Sequence, residues 1–491
     1  MTRPARPKRR INPWAGRRPR PTFVAGCLAA LLLATALHAQ PVQATQDAIV
    51  ADALADKSGH EFLTRLCDDF GGRLTGSASN RGALERTVVE LKALGVDARL
   101  EPFKMPGWVR GDDEAEMIVP VRRKLRAAAL SYTQPQARFE AEVVDIRDGR
   151  EEDFAGHDVT GKIGLLAPTT ARASRQLEES AVRHGLRGIL FIDRVAGGEL
   201  LCRTGSFNGT PLRLPFYAIT QEEGFWMGRL LKRGEKVTVS LLTRSHCATI
   251  ETANIVVTFP GRTPDLVVVG AHFDSWDLGQ GATDNGIGTA QLFAVAKVLH
   301  VRAPSNLRTI ELVWFNGEEE GLFGSRFQAA ALRGQPVAAM LNLDMVGFPL
   351  SVNALGYDEL VPVLERFDAS LGTRKLKQGV GNISWFGSDH TSFQLEGIPA
   401  ITLGGRIEPE VTRYYHDFAD TVEKVDPRMI PEVAATTAAL VYRLANEPGL
   451  GVTRRTPAET AALFRKFDLE KRMTNLGLWP FGELPPATKQ P

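Results

Sequence analysis

Five short clusters of histidine and acidic residues lie in the second half of the chain. They contain, in order, His272 with Asp274, Asp284 with Asn285, Glu318 to Glu320, Asp344, and His416 with Asp417. Their imidazole nitrogens and carboxylate oxygens, without any thiolate, are a donor set typical of zinc sites. Asp274 follows His272 by two residues, so we expect its carboxylate to accept the free ring N–H and orient the imidazole. Asp284 has two oxygens and is able to bridge two cations.

Each cluster also has a purely structural interpretation. A histidine at a strand end is most often a satisfied structural residue, and Glu318 to Glu320 fit an acidic turn where a helix begins. Asp284 fits a turn or a helix N-cap, and Asp344 fits a cap of the element that follows it. The metal interpretation therefore depends on all five clusters meeting at one place.

The surrounding pattern predicts that they do meet. Apolar strands alternate with amphipathic helices through this half, which predicts a mixed, mostly parallel sheet with helices on both faces, an α/β fold. The predicted strands are 266–270, 309–315, 340–344 and 399–403, and the predicted helices are 290–299, 325–332 and 360–371. In such sheets the loops at the carboxyl ends of the strands converge and form the site.

The first half has a different organisation. Two amphipathic helices are predicted between about Thr45 and Gly95, and a β-rich region from Glu114 to Ala248, with strands at 161–166, 188–193 and 237–242. An amphipathic segment at 458–467 follows the second half of the chain.

The N-terminus has the composition of an export signal. Eight Lys and Arg residues and no acidic residue occupy positions 1–44, and an apolar stretch runs from Phe23 to Leu37. That stretch is too short for a comfortable membrane span, and small residues at Ala39 and Ala44 offer cleavage points. We therefore expect an exported protein with no stable membrane span after cleavage. The remaining chain has 51 basic and 57 acidic residues, a net charge of −6, which does not support a nucleic-acid-binding surface.

Three cysteines remain once Cys27 leaves with the leader. They are Cys67, Cys202 and Cys247, an odd number without metal-type spacing. Cys202 and Cys247 both lie in the β-rich region, so they are the pair expected to form any disulfide.

The clusters resemble those of the M28 metallopeptidases, and the run from His272 to Gly286 is most similar to the carboxypeptidase Q branch of that family. The segment from Leu66 to Ser77 is also similar, and the likeness extends over about 54–446. It implies a di-zinc aminopeptidase-like fold with an inserted, β-rich protease-associated (PA) domain. The implied organisation is a signal peptide (1–44), the N-terminal part of the catalytic domain (45–113), the insertion (114–250), the catalytic M28 domain (251–448) and a C-terminal extension (449–491).

The resemblance also implies roles for single residues. His272 and Asp344 would bind one zinc ion, Glu319 and His416 the other, and Asp284 both. Glu318 matches the general base of the family. Tyr415 matches a residue that polarises the substrate carbonyl in some members. Asn285 stands where many members have an Asp, and the residue at that position is not a metal ligand. The implied activity is hydrolysis of dipeptides or of N-terminal residues of a peptide substrate by a zinc-activated water. A homodimer is a further expectation.

Two other functions are compatible with this fold. One is a catalytically inactive binding or receptor module, and the other is a single-zinc acyltransferase of the glutaminyl cyclase kind. The complete set of ligand positions argues against both. Ser388, Asp389 and His390 resemble part of a hydrolytic triad, but a Ser and a His two residues apart rarely act together, so this segment is interpreted as pocket wall. Trp276 and Trp385 are equally compatible with a specificity pocket and with core packing.

Overall fold

A computed structural model of the chain describes residues 42–482 apart from 155–157, 169–174 and 304, together with the first two residues. Most of the predicted leader lies outside the described residues. Among the residues that are described, none belongs to a helix both long and apolar enough to cross a membrane.

The larger half of the fold is built on an eight-stranded mixed sheet. Its strand order is β1-β10-β12-β11-β13-β16-β14-β15. The four consecutive strands β12, β11, β13 and β16 run parallel to one another. The strands are β1 (Ala98–Val109), β10 (His246–Phe259), β11 (Leu266–His272), β12 (Thr309–Phe315), β13 (Val337–Asn342), β14 (Phe348–Asn353), β15 (Gly379–Gly381) and β16 (Ala400–Arg406). Every residue of β11 is buried, as its continuous apolar sequence requires of a central strand covered on both faces.

Helices cover this sheet in two groups. The helix at residues 42–55 (α1) is followed by α2 (Ser58–Phe70), α3 (Ala78–Ala93), α7 (Ile287–Arg302), α8 (Phe323–Ala331), α9 (Val361–Ser370), α10 (His390–Leu395), α11 (Pro409–Thr412) and α12 (Met429–Asn446). Helices α2, α7 and α12 contact one another, while α8 and α10 contact each other, and both groups contact the central strands. The predicted fold class is confirmed.

A second eight-stranded sheet lies between β1 and β10 in sequence. Its order is β3-β2-β9-β5-β6-β7-β8-β4. The elements are β2 (Glu114–Val119), β3 (Arg123–Lys124), β4 (Ala127–Ala129), β5 (Gln136–Asp145), α4 (Glu151–Phe154), β6 (Ile163–Leu166), α5 (Arg175–Arg183), β7 (Gly188–Ile192), β8 (Phe216–Ile219), α6 (Gln221–Lys232) and β9 (Thr238–Thr243). These elements enclose a hydrophobic cluster of their own, so the segment has a separate core.

The strands β1 and β10 carry the chain into this second sheet and out of it. They pair antiparallel over their whole shared length, from Ala98 with Val257 to Val109 with His246. The sequence patterns did not predict either strand. Pro102 and Pro106 interrupt β1, and such residues are tolerated because β1 is an edge strand whose N–H groups pair on one side only.

Two short helices, α13 (Pro457–Lys466) and α14 (Glu470–Asn475), follow the M28-like part of the chain. Phe464, Leu469 and Met473 from this segment pack with Phe207 of the second sheet and with Phe386. The C-terminal extension is therefore packed against the body of the protein next to both sheets.

Arg73 connects the N-terminal helices to the loop after β11. Its side chain is fully buried, and its guanidinium donates to the carbonyls of Phe273, Gly71, Gln280 and Gly281 at 3.1, 3.0, 2.7 and 3.0 Å. Since this loop joins His272 to Asp284, one arginine fixes the backbone between two of the predicted ligands.

Replacing Arg73 with Met should destabilise the protein, because several buried carbonyls lose their donor at about 1–3 kcal/mol each. We expect urea denaturation to show a loss of about 3 kcal/mol or more in the free energy of unfolding. Arg65→Met is the matched control. It removes a partly exposed ion pair with Glu90 and should cost less than about 1 kcal/mol. Equal losses in the two variants would contradict this role of Arg73.

Candidate metal centre

The carboxyl ends of three adjacent parallel strands carry the predicted residues. His272 is the last residue of β11, Glu318 and Glu319 lie in the turn after β12, and Asp344 lies two residues after β13. His416 is in the loop after β16, and Asp284 lies in the irregular helical turn Ala282–Gly286 that precedes α7. The fold thus brings residues from five separate segments to one edge of the sheet.

The carboxylate of Asp284 is the centre of this group. Its Oδ1 lies 3.1 Å from Nε2 of His272, and its Oδ2 lies 2.9 Å from Nε2 of His416. Asp344 Oδ1 is 3.6 Å from the His272 nitrogen, and Glu319 Oε2 is 3.1 Å from the His416 nitrogen. The structure therefore forms two groups of ligand atoms, His272 with Asp344 and His416 with Glu319, which share Asp284.

The spacing and chemistry of these atoms fit bound cations. Ligands at about 2.0–2.1 Å from a tetrahedral zinc ion are about 3.3 Å from one another, close to the separations in both groups. Potential ligand atoms of His272, Asp284 and Glu319 all lie within 4.8 Å of one another. The Oε1 atom of Glu319 is buried and has no hydrogen-bond partner among the described residues, so a further electropositive partner suits it.

The charge of these side chains also favours bound cations. Burial alone would lower the pKa of His272, but the carboxylates around it, Glu318 foremost, raise that pKa well above its usual value. The pKa of His416 is raised in the same way, against burial, chiefly by Glu319. Burial raises the pKa of Glu319 to about 7, although His416 opposes the shift. The acidic excess at this site thus favours any positive charge, whether protons on the rings or metal ions.

The backbone carbonyl of Asp274, rather than its carboxylate, orients the ring of His272. Nδ1 of His272 lies 3.0 Å from that carbonyl oxygen and 3.8 Å from the nearest carboxylate oxygen. The carboxylate instead accepts the backbone N–H groups of Glu318 and Glu319 at 3.1 and 3.2 Å and the Thr75 hydroxyl at 3.2 Å. The sequence-based expectation for the Asp274 carboxylate was therefore wrong: it holds the Glu318–Glu319 turn in place.

Asp420 and Asn285 position the segments of Asp284 and Asp344. The Asp420 carboxylate accepts the N–H groups of Thr283 and Asp284 at 2.7 and 3.1 Å. The Asn285 amide donates to the carbonyl of Leu343 at 2.8 Å, and its oxygen accepts the N–H of Met345 at 3.1 Å. Asn285 therefore holds the residues on both sides of Asp344 while its own side chain stays occupied by these backbone bonds.

Two glycines make this turn possible. Gly281 has φ of 58°, in the left-handed region that favours glycine. At Gly288 an added Cβ would lie 2.6 Å from the carbonyl oxygen of Leu343 and 2.4 Å from the Asn285 side chain. The glycines of the cluster thus allow the turn to approach the Asp344 segment closely.

A loop of the second sheet holds His416. Cys202 donates its N–H to the carbonyl of His416 at 3.0 Å, and its own carbonyl lies 2.9 Å from Nδ1 of the His416 ring. Leu200 donates to the Asp417 carboxylate at 2.7 Å. Two backbone N–H groups and one backbone carbonyl therefore hold the His416 segment and its ring, and all three belong to a segment more than 200 residues earlier in the chain.

The three cysteines within the described residues do not form a disulfide. Cys67, Cys202 and Cys247 are all free thiols in the structure. The sulfur of Cys202 accepts a bond from Arg110 at 3.2 Å, whereas Cys247 lies against the carbonyl of Tyr132 at 3.5 Å. The two thiols thus contact different partners, and the Cys202–Cys247 bridge that the sequence left open is not formed.

The three consecutive glutamates have different surroundings. Glu318 lines a cavity of about 350 Å³ together with Glu319, Asp284, Asp344 and His416. Burial raises its pKa well above the usual value although His272 opposes the shift. Glu320 points away and accepts the N–H of Trp108 at 2.8 Å. Glu318 is thus a half-buried carboxyl group beside the ligands, suited to exchanging a proton with a molecule in the cavity.

Aromatic residues complete the description of the cavity. Tyr415 and Trp276 line it, and Trp276 also packs into the core of the second sheet, so both interpretations hold for this residue. The Trp385 ring instead lies 4.1 Å from that of His390 and is partly exposed.

The Ser388–His390 segment has no triad geometry. Ser388 accepts a bond from the Asn342 amide at 2.7 Å, and His390 Nε2 lies 3.1 Å from the carbonyl of Trp385. Burial lowers the pKa of His390 to about 4, so the ring is neutral near pH 7. These partners make the segment part of the packed structure under the sheet edge.

Comparison with known proteins agrees with the fold. Residues 254–441 match the family described as Peptidase family M28, and all five predicted ligands lie within this range. The chain is 28% identical to carboxypeptidase Q of Bos taurus over 419 residues, which cover 80% of this chain and 86% of that protein. This chain contains a peptidase M28 domain at residues 254–441. It is accordingly a metallopeptidase with carboxypeptidase Q among its relatives.

Solved structures of M28 peptidases share the fold. The crystal structure of a peptidase M28 precursor from Shewanella amazonensis has a TM-score of 0.73 at 22% identity, covering 85% of this chain and 99% of that one. A zinc aminopeptidase from Bacillus subtilis has a TM-score of 0.65 at 21% identity, covering 79% and 95%. Because both comparisons extend over most of this chain, the likeness includes both eight-stranded sheets.

Replacing Asp274 with Ala should loosen the Glu318–Glu319 turn, because three donors lose their acceptor. We expect a loss of about 2–4 kcal/mol in the free energy of unfolding and faster hydrogen exchange in a peptide covering 316–322. Thr75→Val removes one of the three donors and leaves the carboxylate bound by two N–H groups, so it should cost only about 1 kcal/mol. Unchanged exchange in Asp274→Ala would show that the turn does not depend on this carboxylate.

Proposed function

We propose that this M28 peptidase is a zinc-dependent exopeptidase that hydrolyses dipeptides or removes N-terminal residues. The observation that carries the proposal is the position of Asp284, whose two oxygens face two different histidines at 3.1 and 2.9 Å. Each histidine has a further carboxylate partner and is held at its other nitrogen by a backbone carbonyl. That is the arrangement expected of a pair of metal sites with a shared carboxylate.

Two zinc ions would be held by the five predicted ligands. His272 and Asp344 would bind one ion, His416 and Glu319 the other, and Asp284 both. When bound, such a pair of ions supplies Lewis-acid polarisation of the scissile carbonyl and lowers the pKa of water. The name of the Bacillus subtilis zinc aminopeptidase, which shares this fold, is consistent with zinc as the metal.

Glu318 is proposed as the general base. It lines the cavity beside all of the carboxylate ligands, and its backbone N–H is fixed by Asp274 at 3.1 Å. A group in this position removes a proton from the attacking water and then delivers it to the leaving amine, which typically contributes about 10²–10⁴-fold to the rate. Burial raises its pKa, which suits the second of these steps because the carboxyl group then holds a proton more readily.

Tyr415 is proposed to donate a hydrogen bond to the carbonyl of the substrate. It lines the cavity, its ring centroid lies 4.3 Å from that of His416, and its hydroxyl accepts a bond from Arg194 at 3.0 Å. A hydroxyl that accepts a bond from a cation is polarised and becomes a better donor.

The remaining predictions follow from the sequence. We propose that the protein is exported after cleavage of a leader within 1–44 and that residues 114–250 form a PA-like insertion. A homodimer also remains a prediction. An inactive binding module is the competing function, and it is disfavoured by the similarity to peptidases and by the presence of every ligand and of Glu318.

Replacing Glu318 with Gln should abolish hydrolysis of free dipeptides while two zinc ions remain bound per chain. The amide has nearly the same shape but accepts no proton, so kcat should fall by about 10²–10⁴-fold. Activity is measured on free dipeptides, longer peptides and N-blocked peptides, and zinc by elemental analysis. Glu410→Gln, at an exposed position on α11, is the matched control and should leave both unchanged. Near-normal turnover in Glu318→Gln would refute the base assignment.

Zinc should bind more weakly as the pH falls. The surrounding carboxylates raise the pKa values of His272 and His416 well above the usual value, so the rings hold protons more readily, and zinc binding must displace these protons. The affinity should therefore increase from pH 6 to pH 8, with net proton release. Calorimetry of zinc binding in buffers of different ionisation enthalpy measures this release. An affinity independent of pH would contradict ligation by these two rings.

A further inference from the structure

The C-terminal extension contributes one side of the cavity at the candidate metal centre. The match to the M28 family ends at residue 441, and residues 449–482 of the extension lie beyond it. Arg472 of α14 nevertheless lines the cavity, together with Glu318 and four of the candidate ligands. A segment outside the M28 domain thus borders the place where the proposed chemistry occurs.

Hydrophobic packing fixes α14 in this position. Phe464 of α13 and Met473 of α14 are buried in a cluster that includes Phe207 of the second sheet and Phe386 of the M28 domain. Phe207 also lines the cavity, and Phe386 directly precedes Gly387, which lines it too. The side chains that hold the extension are therefore the same as, or adjacent to, those that border the cavity.

Polar bonds anchor the extension where it begins. The backbone N–H of Arg455 donates to the carbonyl of Gly397 at 2.8 Å, and its guanidinium donates to the carbonyl of Gly356 at 3.1 Å. The guanidinium of Arg454 donates to the carbonyl of Leu332 at 2.8 Å. The extension is thus attached to the M28 domain before α13 and again at α14, so the position of α14 is set from both sides.

The side chain of Arg472 lies along an aromatic ring at this wall. Its Cζ atom is 5.1 Å from the ring centroid of Phe386, within the range of a cation–π contact. This contact holds a long side chain across the border of the cavity. The guanidinium therefore occupies space that a longer ligand would need.

The cavity is small for a peptide. A volume of about 350 Å³ is that of a cube about 7 Å on a side, and an extended chain crosses this distance in about two residues. The candidate ligands and the loops of the second sheet form its other identified walls. The extension supplies the one wall that belongs to neither of these parts, so altering it should enlarge the cavity without changing the ligands.

We infer that α14 limits the length of the peptide that this site accepts. The Arg472 side chain, held against Phe386, closes the cavity after about two substrate residues and excludes longer chains. This inference rests on the proposed exopeptidase function and restricts its substrates to short peptides. The restriction depends on the volume of the side chain and on the packing of α14, and the charge of Arg472 has no part in it.

Unblocked alanine peptides of two to five residues test this restriction in the wild-type protein. We expect kcat/KM to fall about 10-fold or more between dialanine and tetra-alanine, because a single group that a closed site must accommodate is worth about 10- to 200-fold. An equal kcat/KM over the whole series would overturn the inference and leave the proposed exopeptidase function intact. Absence of hydrolysis with every peptide would instead refute the proposed function.

Replacing Arg472 with Ala should raise kcat/KM for tetra-alanine about 10-fold relative to that for dialanine. Arg472→Met removes the charge but keeps most of the length of the side chain, so it should keep the length selectivity. Lys471→Ala, at the neighbouring exposed residue that does not line the cavity, is the matched control. Equal gains in Arg472→Ala and Arg472→Met, or no gain in Arg472→Ala, would overturn the inference.

A second variant tests the packing of α14 without touching the cavity wall itself. Met473→Ala removes a buried side chain from the cluster with Phe207, so α14 should be held less firmly. We expect faster hydrogen exchange in a peptide covering 470–478 and a higher ratio of tetra-alanine to dialanine hydrolysis, with zinc content and dialanine hydrolysis unchanged. Faster exchange without a change in that ratio would contradict a role of α14 in length selection.

Discussion

The structure depends on the concentration of buried acidic groups around Asp284, at one edge of the sheet that contains β11, β12 and β13. Four carboxyl groups and two imidazoles meet there, in a place where unpaired charge is costly. Such a group persists only if each carboxylate has a fixed set of donors or cations. Much of the surrounding architecture fixes the backbone that carries these groups. Asp420 and Asn285 hold the segments of Asp284 and Asp344, Asp274 holds the turn of Glu318 and Glu319, and Arg73 holds the loop between His272 and Asp284.

The second sheet has a direct part in this arrangement. The Cys202 backbone binds both the ring and the carbonyl of His416, and the next residue, Arg203, lines the cavity. His416 lies in a loop with φ of 65°, a conformation that needs external support in a residue other than glycine. The loop of the second sheet provides that support, so the orientation of one candidate ligand is coupled to the position of an arginine that lines the cavity.

The sequence predicted that the candidate ligands lie at one edge of the sheet, because several of them follow buried strands. The predicted strand 309–315 coincides with β12, and the end of β11 at His272 lies two residues beyond the prediction. Parallel strands bring their carboxyl ends together, so residues that are distant in sequence become neighbours without further information. By contrast, β1 was not predicted because its prolines break the pattern, and the long helix α12 was not predicted because small and polar residues such as Thr436 and Thr437 are buried along with its apolar ones.

The interactions that sequence reasoning missed are those made through the backbone. The position of Asp274 two residues after His272 predicted that its carboxylate would orient the ring. The backbone carbonyl of Asp274 does so instead. The carboxylate accepts bonds from the turn of Glu318 and Glu319. Backbone carbonyl and N–H groups are present at almost every residue, so the sequence does not indicate which of them will bind a given side chain. The Cys202–His416 contact spans 214 residues for the same reason. A motif therefore identifies which side chains could bind a metal, whereas the fold decides which backbone groups hold them, and in this chain those groups come from the inserted sheet as well as from the sheet that carries the ligands.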